Sequence, residues 1–290
     1  MRNIVFRTKD RRGSAQNRAA DIHNKLLELG YSTQYFAGYN SDMQNEMRQI
    51  RDSIVIYVKH PELTELQILK QNNNIVIIDV VDAIADSNYS MHDLNVLPYD
   101  SIIVPTRGLM MFGSSNHSQL VFYIPHHWDM RHLTHINAYD RDSFRLAYIG
   151  YAAPGGGLYY NEHVPDLAIV DDWADQTRLS PYYTCHYSIR PDGTHHYHYK
   201  PNSKISAAAA VGSNIIHSYD DAALDLISSE YPYFTKSTPQ DIQNTIEYAK
   251  ETFAGPVWNH GLQMMAELKH RTSLDTIVSQ DYINYLSMFD

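Results

Sequence analysis

Two apolar runs rich in β-branched residues, SIVIYV at 53–58 and NIVIIDVV at 74–81, constrain this chain more than any other feature. Each is apolar at nearly every position rather than at alternate ones, which marks a strand buried on both faces. Strands of that kind pair in parallel, and parallel pairs need long crossovers, usually helices. The flanking segments supply them. NIVFRT at 3–8 reads as a strand, and Ala19, Ile22, Leu26 and Leu29 recur at helical spacing over 15–29 before Gly30 stops the helix. A strand is expected at 31–37, helices at 43–51 and 61–71, and further strands at 100–106 and from 120. Alternation of this sort predicts a parallel, doubly wound α/β sheet with ligands at the carboxyl ends of its strands.

The pattern restarts at FRLAYIG, residues 144–150. Strands are expected at 166–172, 182–189 and 214–218, with helices at 203–211, 220–228, 239–253 and 257–269. The expected organisation is a first domain over 1–128, a polar linker over 129–143, a second domain over 144–270 and a C-terminal amphipathic helix over 271–290. A chain of 290 residues has ample length for two such cores. Two α/β domains facing a cleft put the natural binding site in that cleft.

Composition narrows the function classes. A formal charge of −10 disfavours a protein that coats nucleic acid, although Lys9, Arg11, Arg12 and Arg18 form a local basic cluster near the N-terminus. No apolar run is long enough to cross a bilayer and the N-terminus lacks a signal-peptide core, so a cytoplasmic location is expected. Cys185 is the single cysteine, which rules out an internal disulfide and any thiolate cluster from one chain.

The densest chemistry lies in KPNSKISAAAAVGSNIIHSYDDAALDLI, residues 200–227. Pro201 suits a first helical turn, and Asn202 or Ser203 can cap the free amides there. The helix then opens beside Lys200 and Lys204, and ammonium groups at a positive helix end make a site for a diphosphate. Solvated lysines on a surface βα unit are the alternative. The run from Ala207 to Ala210 lets the helix lie close to a sheet, and Asp220 and Asp221 suit the cap of the next helix. His195, His196 and His198 have no local carboxylate or cysteine to complete a metal site, so an edge strand explains them without one. Gly155, Gly156 and Gly157 do not make a GxGxxG fingerprint in its strand-to-helix setting.

Four segments, in this order, resemble the GT-B glycosyltransferases, particularly the retaining type: DSIIVPTRG at 100–108, IPHHWD at 124–129, LAYIGYAAPGGG at 146–157 and the unit at 200–227. The resemblance covers most of the chain and implies two Rossmann-like domains, the second holding a nucleotide diphosphate sugar. It implies a diphosphate site at Gly150, Lys200, Pro201, Asn202, Ser203 and Lys204, and a ribose contact at Asp225. The family's paired glutamates are absent, with Tyr199 or Lys200 and Ala207 near their places.

On this reading the protein moves a sugar onto an acceptor hydroxyl, with no metal or redox cofactor, because lysines and amides neutralise the leaving phosphate. If transfer inverts, a base is needed in the first domain: Asp82, near the exit of a buried strand that also carries Asp79, or His126 or His127 from IPHHWD. Neighbouring residues of an extended segment diverge, so one of the two histidines is expected to face the cleft and the other the core. The loop bearing Arg11, Arg12, Gly13 and Ser14 follows the first strand and suits the acceptor side. A glycan or lipid-linked saccharide is the implied acceptor. A hydroxymethylated DNA base, a catalytically silent sugar or nucleotide module, and an epimerase are the alternatives.

Overall fold

The computed structural model describes residues 2–9, 13, 15–38, 41–59, 61–81, 94, 96–152, 158–191 and 200–289. The chain divides into two compact units, one formed by Met1–His127, Tyr199–Pro201 and Ser273–Asp290, the other by Trp128–His198 and Asn202–Thr272.

The first unit is built on a six-stranded sheet in the order β2-β1-β3-β4-β5-β6. Its strands are β1 (Ile4–Thr8), β2 (Thr33–Ala37), β3 (Ile54–Val58), β4 (Ile75–Asp79), β5 (Ser101–Val104) and β6 (Leu120–Tyr123). Every pairing is parallel, with Phe6 level with Ile56 and Ile56 level with Ile77. Side chains alternate across each strand, so one run of apolar residues feeds two cores. Ile4, Phe6, Ile54, Ile56 and Ile77 pack on one face with Ile22 and Leu26 of helix α1 (Asp21–Glu28), which a π-helical turn over Gln16–Ala20 precedes. Val5, Val55, Val76 and Ile102 pack on the other, against Leu66 and Leu69 of α3 (Leu63–Gln71). Helix α2 (Ser41–Met47) adds Met47 to that side. Helix α4 (Arg107–Asn116) was not expected from the sequence. Thr106 starts it by accepting the Leu109 amide proton at 3.2 Å.

The second unit holds a five-stranded, all-parallel sheet in the order β11-β10-β9-β7-β8. Its strands are β7 (Leu146–Ile149), β8 (Ala168–Val170), β9 (Cys185–Ser188), β10 (Asn214–Ser218) and the short β11 (Phe234–Thr235). Helices α5 (Trp173–Leu179), α6 (Ser203–Ala210), α7 (Asp221–Leu224), α8 (Pro239–Glu251) and α9 (Pro256–Arg271) cover it. Ala208, Ala209 and Ala210 are fully buried, and their small side chains let α6 lie close to the sheet as the alanine run suggested. α9 makes a comparably close approach at Gly261, where a Cβ would lie 2.6 Å from Asn214 Oδ1.

One organisational expectation needs correction. Residues 129–143 are not a free linker but part of the second unit. Asp129 accepts the Arg131 amide proton at 2.9 Å to start a 3-10 turn over Met130–His135, and the Arg131 guanidinium, paired with Asp129, lies 4.6 Å from the Trp173 ring centre. The C-terminal segment is helical, as expected, and belongs to the first unit. After α10 (Leu274–Thr276), a π-helical stretch over Ile277–Tyr282 and α11 (Ile283–Leu286), it buries Ile277, Val278, Tyr282, Tyr285 and Leu286 in the first unit's core. Periodicity shows that such a segment must bury a face. It does not show which sheet receives it.

Candidate functional site

In the second unit the chain runs from β7 to β8 on one side and then to β9 on the other, so the strand order reverses beside β7. Doubly wound sheets bind ligands outside the carboxyl ends of their strands at that point. Gly150 follows β7 directly, with φ +148°, and a Cβ there would overlap the Lys204 ammonium. Lys204, in the first turn of α6, donates to the Ile149 carbonyl at 3.2 Å and lies 4.7 Å from the centre of the Tyr148 ring. The Tyr148 hydroxyl donates to the Tyr151 carbonyl at 2.7 Å, which orients the ring beneath the ammonium. Lys200 is half-buried, two residues ahead of the α6 N-cap.

Asn202 occupies the N-cap position, but its side chain does not cap the helix. Instead Asn202 Nδ2 donates to Asp220 Oδ1 at 2.9 Å. Asp220 is itself the cap of α7, accepting from the Ala223 amide at 2.8 Å, as its position predicted. A buried carboxylate needs more than one donor, and Asn202 provides the second. The start of α6 therefore lacks a cap from its N-cap side chain and points its positive end beside the Lys204 ammonium.

Three buried polar atoms around Asp220 have no hydrogen-bond partner among the described residues: Asn202 Oδ1, Asp220 Oδ2 and His217 Nε2. His217 Nδ1 lies 2.8 Å from the Ser218 carbonyl, so that nitrogen carries the proton and Nε2 is left as an acceptor. All three atoms accept, and a hydroxyl-bearing ligand would satisfy them. Asp225, the residue expected at the ribose, is the half-buried C-cap of α7, one turn beyond Asp221, whose carbonyl takes its amide proton at 3.0 Å. Tyr148 and His217 escaped the sequence reading because each looks like an ordinary strand residue. Their only signal is position at or near a strand's carboxyl end.

Burial has a measurable consequence in this unit. It lowers His186 to about 3 and His217 to about 4. Unfolded, each titrates near 6.5. The stability they contribute is complete above that value and is lost as pH falls towards the folded-state values, because the unfolded chain takes up protons the folded one refuses. Each histidine contributes a slope of about 1.4 kcal/mol per pH unit in that window. The urea midpoint should fall steadily on acidification below about pH 6.5, and His186→Gln should flatten the fall; an unchanged slope would contradict the assignment.

In the first unit, Asp79 ends β4 but is not available as a base. Arg18 Nε and Nη2 clamp its two oxygens at 2.9 Å each, and the Tyr282 hydroxyl donates to Oδ2 at 3.1 Å. Arg18 also donates to the Ile124 and Pro125 carbonyls, both at 2.9 Å. Arg18 therefore leaves the expected basic surface cluster and becomes a core residue. Burial opposes its charge, but Asp79, with Tyr282 and Tyr123, more than offsets that and raises its pKa.

His126 and His127 are both buried, at 8% and 2% exposure. His127 Nε2 donates to the Asn17 carbonyl at 2.6 Å. His126 keeps both ring nitrogens without a partner, and burial, reinforced by the Arg18 charge, holds its pKa well below the usual range. Gly13 is exposed with φ +50°, its carbonyl accepting the Asn17 amide proton at 3.1 Å. Asp82, Arg11, Arg12, Ser14, the glycines at 155–157 and His195, His196 and His198 lie outside the described residues. Among the described residues no group of three or more His, Cys, Asp or Glu could hold a metal, and no helix is long and apolar enough to cross a membrane.

Two doubly wound parallel α/β units make a fold of the GT-B class. Solved structures bear this out. The chain is similar to HepE from Anabaena in complex with UDP and glucose, at 10% identity, a TM-score of 0.69, and coverage of 99% of this chain and 100% of that one. It is similar to a glycosyltransferase from Rickettsia africae, at 8% identity, a TM-score of 0.71 and coverage of 100% and 99%. Sucrose-phosphate synthase from Thermosynechococcus elongatus matches at 11% identity, a TM-score of 0.65 and coverage of 99% of each chain. No protein-family model and no curated protein matches the sequence.

Proposed function

We propose that this protein is a glycosyltransferase that binds a nucleotide diphosphate sugar in its second unit and transfers the sugar to an acceptor hydroxyl. One observation carries the reading: the Lys204 ammonium sits on Gly150 and Tyr148 at the switch point, at the positive N-terminal end of α6. Ammonium and amides together complement a leaving diphosphate, so the reading calls on no metal. The similar HepE binds UDP-glucose in its own structure, which points the same way.

Lys200, Pro201, Asn202 and Ser203 would complete the diphosphate site, with Asp225 at the ribose. The general base would come from Asp82, His126 or His127. The loop carrying Arg11, Arg12, Gly13 and Ser14 would meet the acceptor, a glycan or a related hydroxyl compound.

Thermal-shift measurements with UDP, GDP, ADP and CMP test the reading. A nucleotide at a hundredfold excess over its Kd should stabilise the protein by about 2.7 kcal/mol, several degrees in Tm. A nucleoside diphosphate should do so, and CMP should do less. No shift with any of the four would overturn the donor site.

A further inference from the structure

The second unit also contains a pocket of about 650 Å³ at the opposite edge of its sheet. It opens where β7 and β8 begin, beside Leu146 and Ala168, and α8 closes one wall. Along β7, Leu146 at this edge lies about 13 Å from Gly150, at roughly 3.3 Å per residue. A molecule held here cannot reach Lys204.

The lining has a definite chemistry. Leu146, Val164 and Ile246 form a buried apolar floor. Phe144 stands over it, held edge-on by Phe253 at 6.1 Å and Trp258 at 6.0 Å, and Tyr183 is held edge-on by Tyr182 at 5.0 Å. These are rigid aromatic walls, formed before any ligand arrives. The rim is polar and exposed: Asp166, Gln243, Glu247 and Lys250. Gln243 donates its amide to the His163 carbonyl at 3.2 Å, which leaves its Oε1 as an acceptor facing solvent.

Charge decides among ligand classes. Arg145 and Lys250 balance Asp166 and Glu247. Both cations are engaged, Lys250 with Glu247 at 3.1 Å and Arg145 with the Tyr182 carbonyl at 2.8 Å, Ser143 Oγ at 2.6 Å and the Tyr182 ring at 4.3 Å. A phosphate would meet two carboxylates and no uncommitted cation. A purely apolar ligand would strand the rim carboxylates against it. A neutral molecule with one apolar face and a ring of hydroxyls matches both walls and rim. We propose that this pocket is a second, non-catalytic saccharide-binding site.

The test uses the full chain and three neutral probes: maltotriose, cellotriose and triacetylchitotriose, followed by saturation-transfer NMR and calorimetry. At least one should bind with a millimolar or tighter Kd. Asp166→Asn combined with Glu247→Gln should weaken it tenfold or more, while Lys204→Ala and saturating UDP leave it unchanged. These rim positions are exposed, so the variants should melt with the wild type. Gln243→Ala provides an independent second variant should the double one misfold. Failure of all three probes to bind at millimolar concentration, binding that ignores the rim variants, or binding displaced by UDP would each overturn the proposal without touching the nucleotide reading. Glucose 6-phosphate binding more tightly than the neutral probes, and weakened by the rim variants, would overturn it too.

Discussion

Asp79→Ala is expected to remove about 3–5 kcal/mol of stability, the largest single-residue effect anticipated in the first unit. Arg18 is fully buried and stays charged, and Asp79 is its only carboxylate partner among the hydrogen bonds it makes. Without that carboxylate the guanidinium keeps two backbone carbonyls for its charge, and the Tyr282 hydroxyl loses its acceptor as well. The loss reflects an unpaired buried charge rather than the net worth of the pair, so Arg18→Met with Asp79→Leu should recover much of it. Urea unfolding of the single and double variants reads both quantities. A single variant within about 1 kcal/mol of wild type would show that water reaches the pair and satisfies it.

The second large effect concerns Lys204 and Gly150. Lys204→Ala removes a charge-assisted contact of about 1.5–3 kcal/mol, a loss of roughly 10-fold to 150-fold in nucleoside diphosphate affinity. Gly150→Ala should act through the same atom. Its Cβ would occupy the place of the ammonium, and φ of +148° is a backbone conformation that glycine tolerates and alanine resists. Both variants should weaken UDP binding in calorimetry, and the double variant should be little worse than either alone, since the two share one mechanism. Additive losses would mean that Gly150 contributes through its own approach to the ligand. Unchanged affinity in Lys204→Ala would remove the lysine from the diphosphate site altogether.

Much of the scaffold was legible in the amino-acid order because burial on both faces leaves a plain trace. The runs at 53–58 and 74–81 became β3 and β4, buried at nearly every position, and the alanine run became the buried face of α6. Capping was legible in part. Asp220 caps α7 as its place before a helix suggests, whereas Asn202, an equally good capping residue by type, turns away to that same carboxylate. Local chemistry predicts what a side chain can do, and a buried partner from another strand end decides which option it takes. Helix α4 went unread because its methionines and glycines give a weak apolar stripe.

The order of apolar and polar residues was enough to determine two parallel α/β units and to bring a lysine to the start of the helix after β9. Only the tertiary structure decided which charges do chemistry. Arg18 and Asp79 are 61 positions apart and looked like a surface cation and a strand-end base; folded, they neutralise each other inside the core. The segment from Ser273 returns to the first unit to bring Tyr282 onto that pair. Periodicity is set by neighbours along the chain, so sequence records it. Pairing of buried charges is set by desolvation among distant residues, and that exists only once the chain has folded.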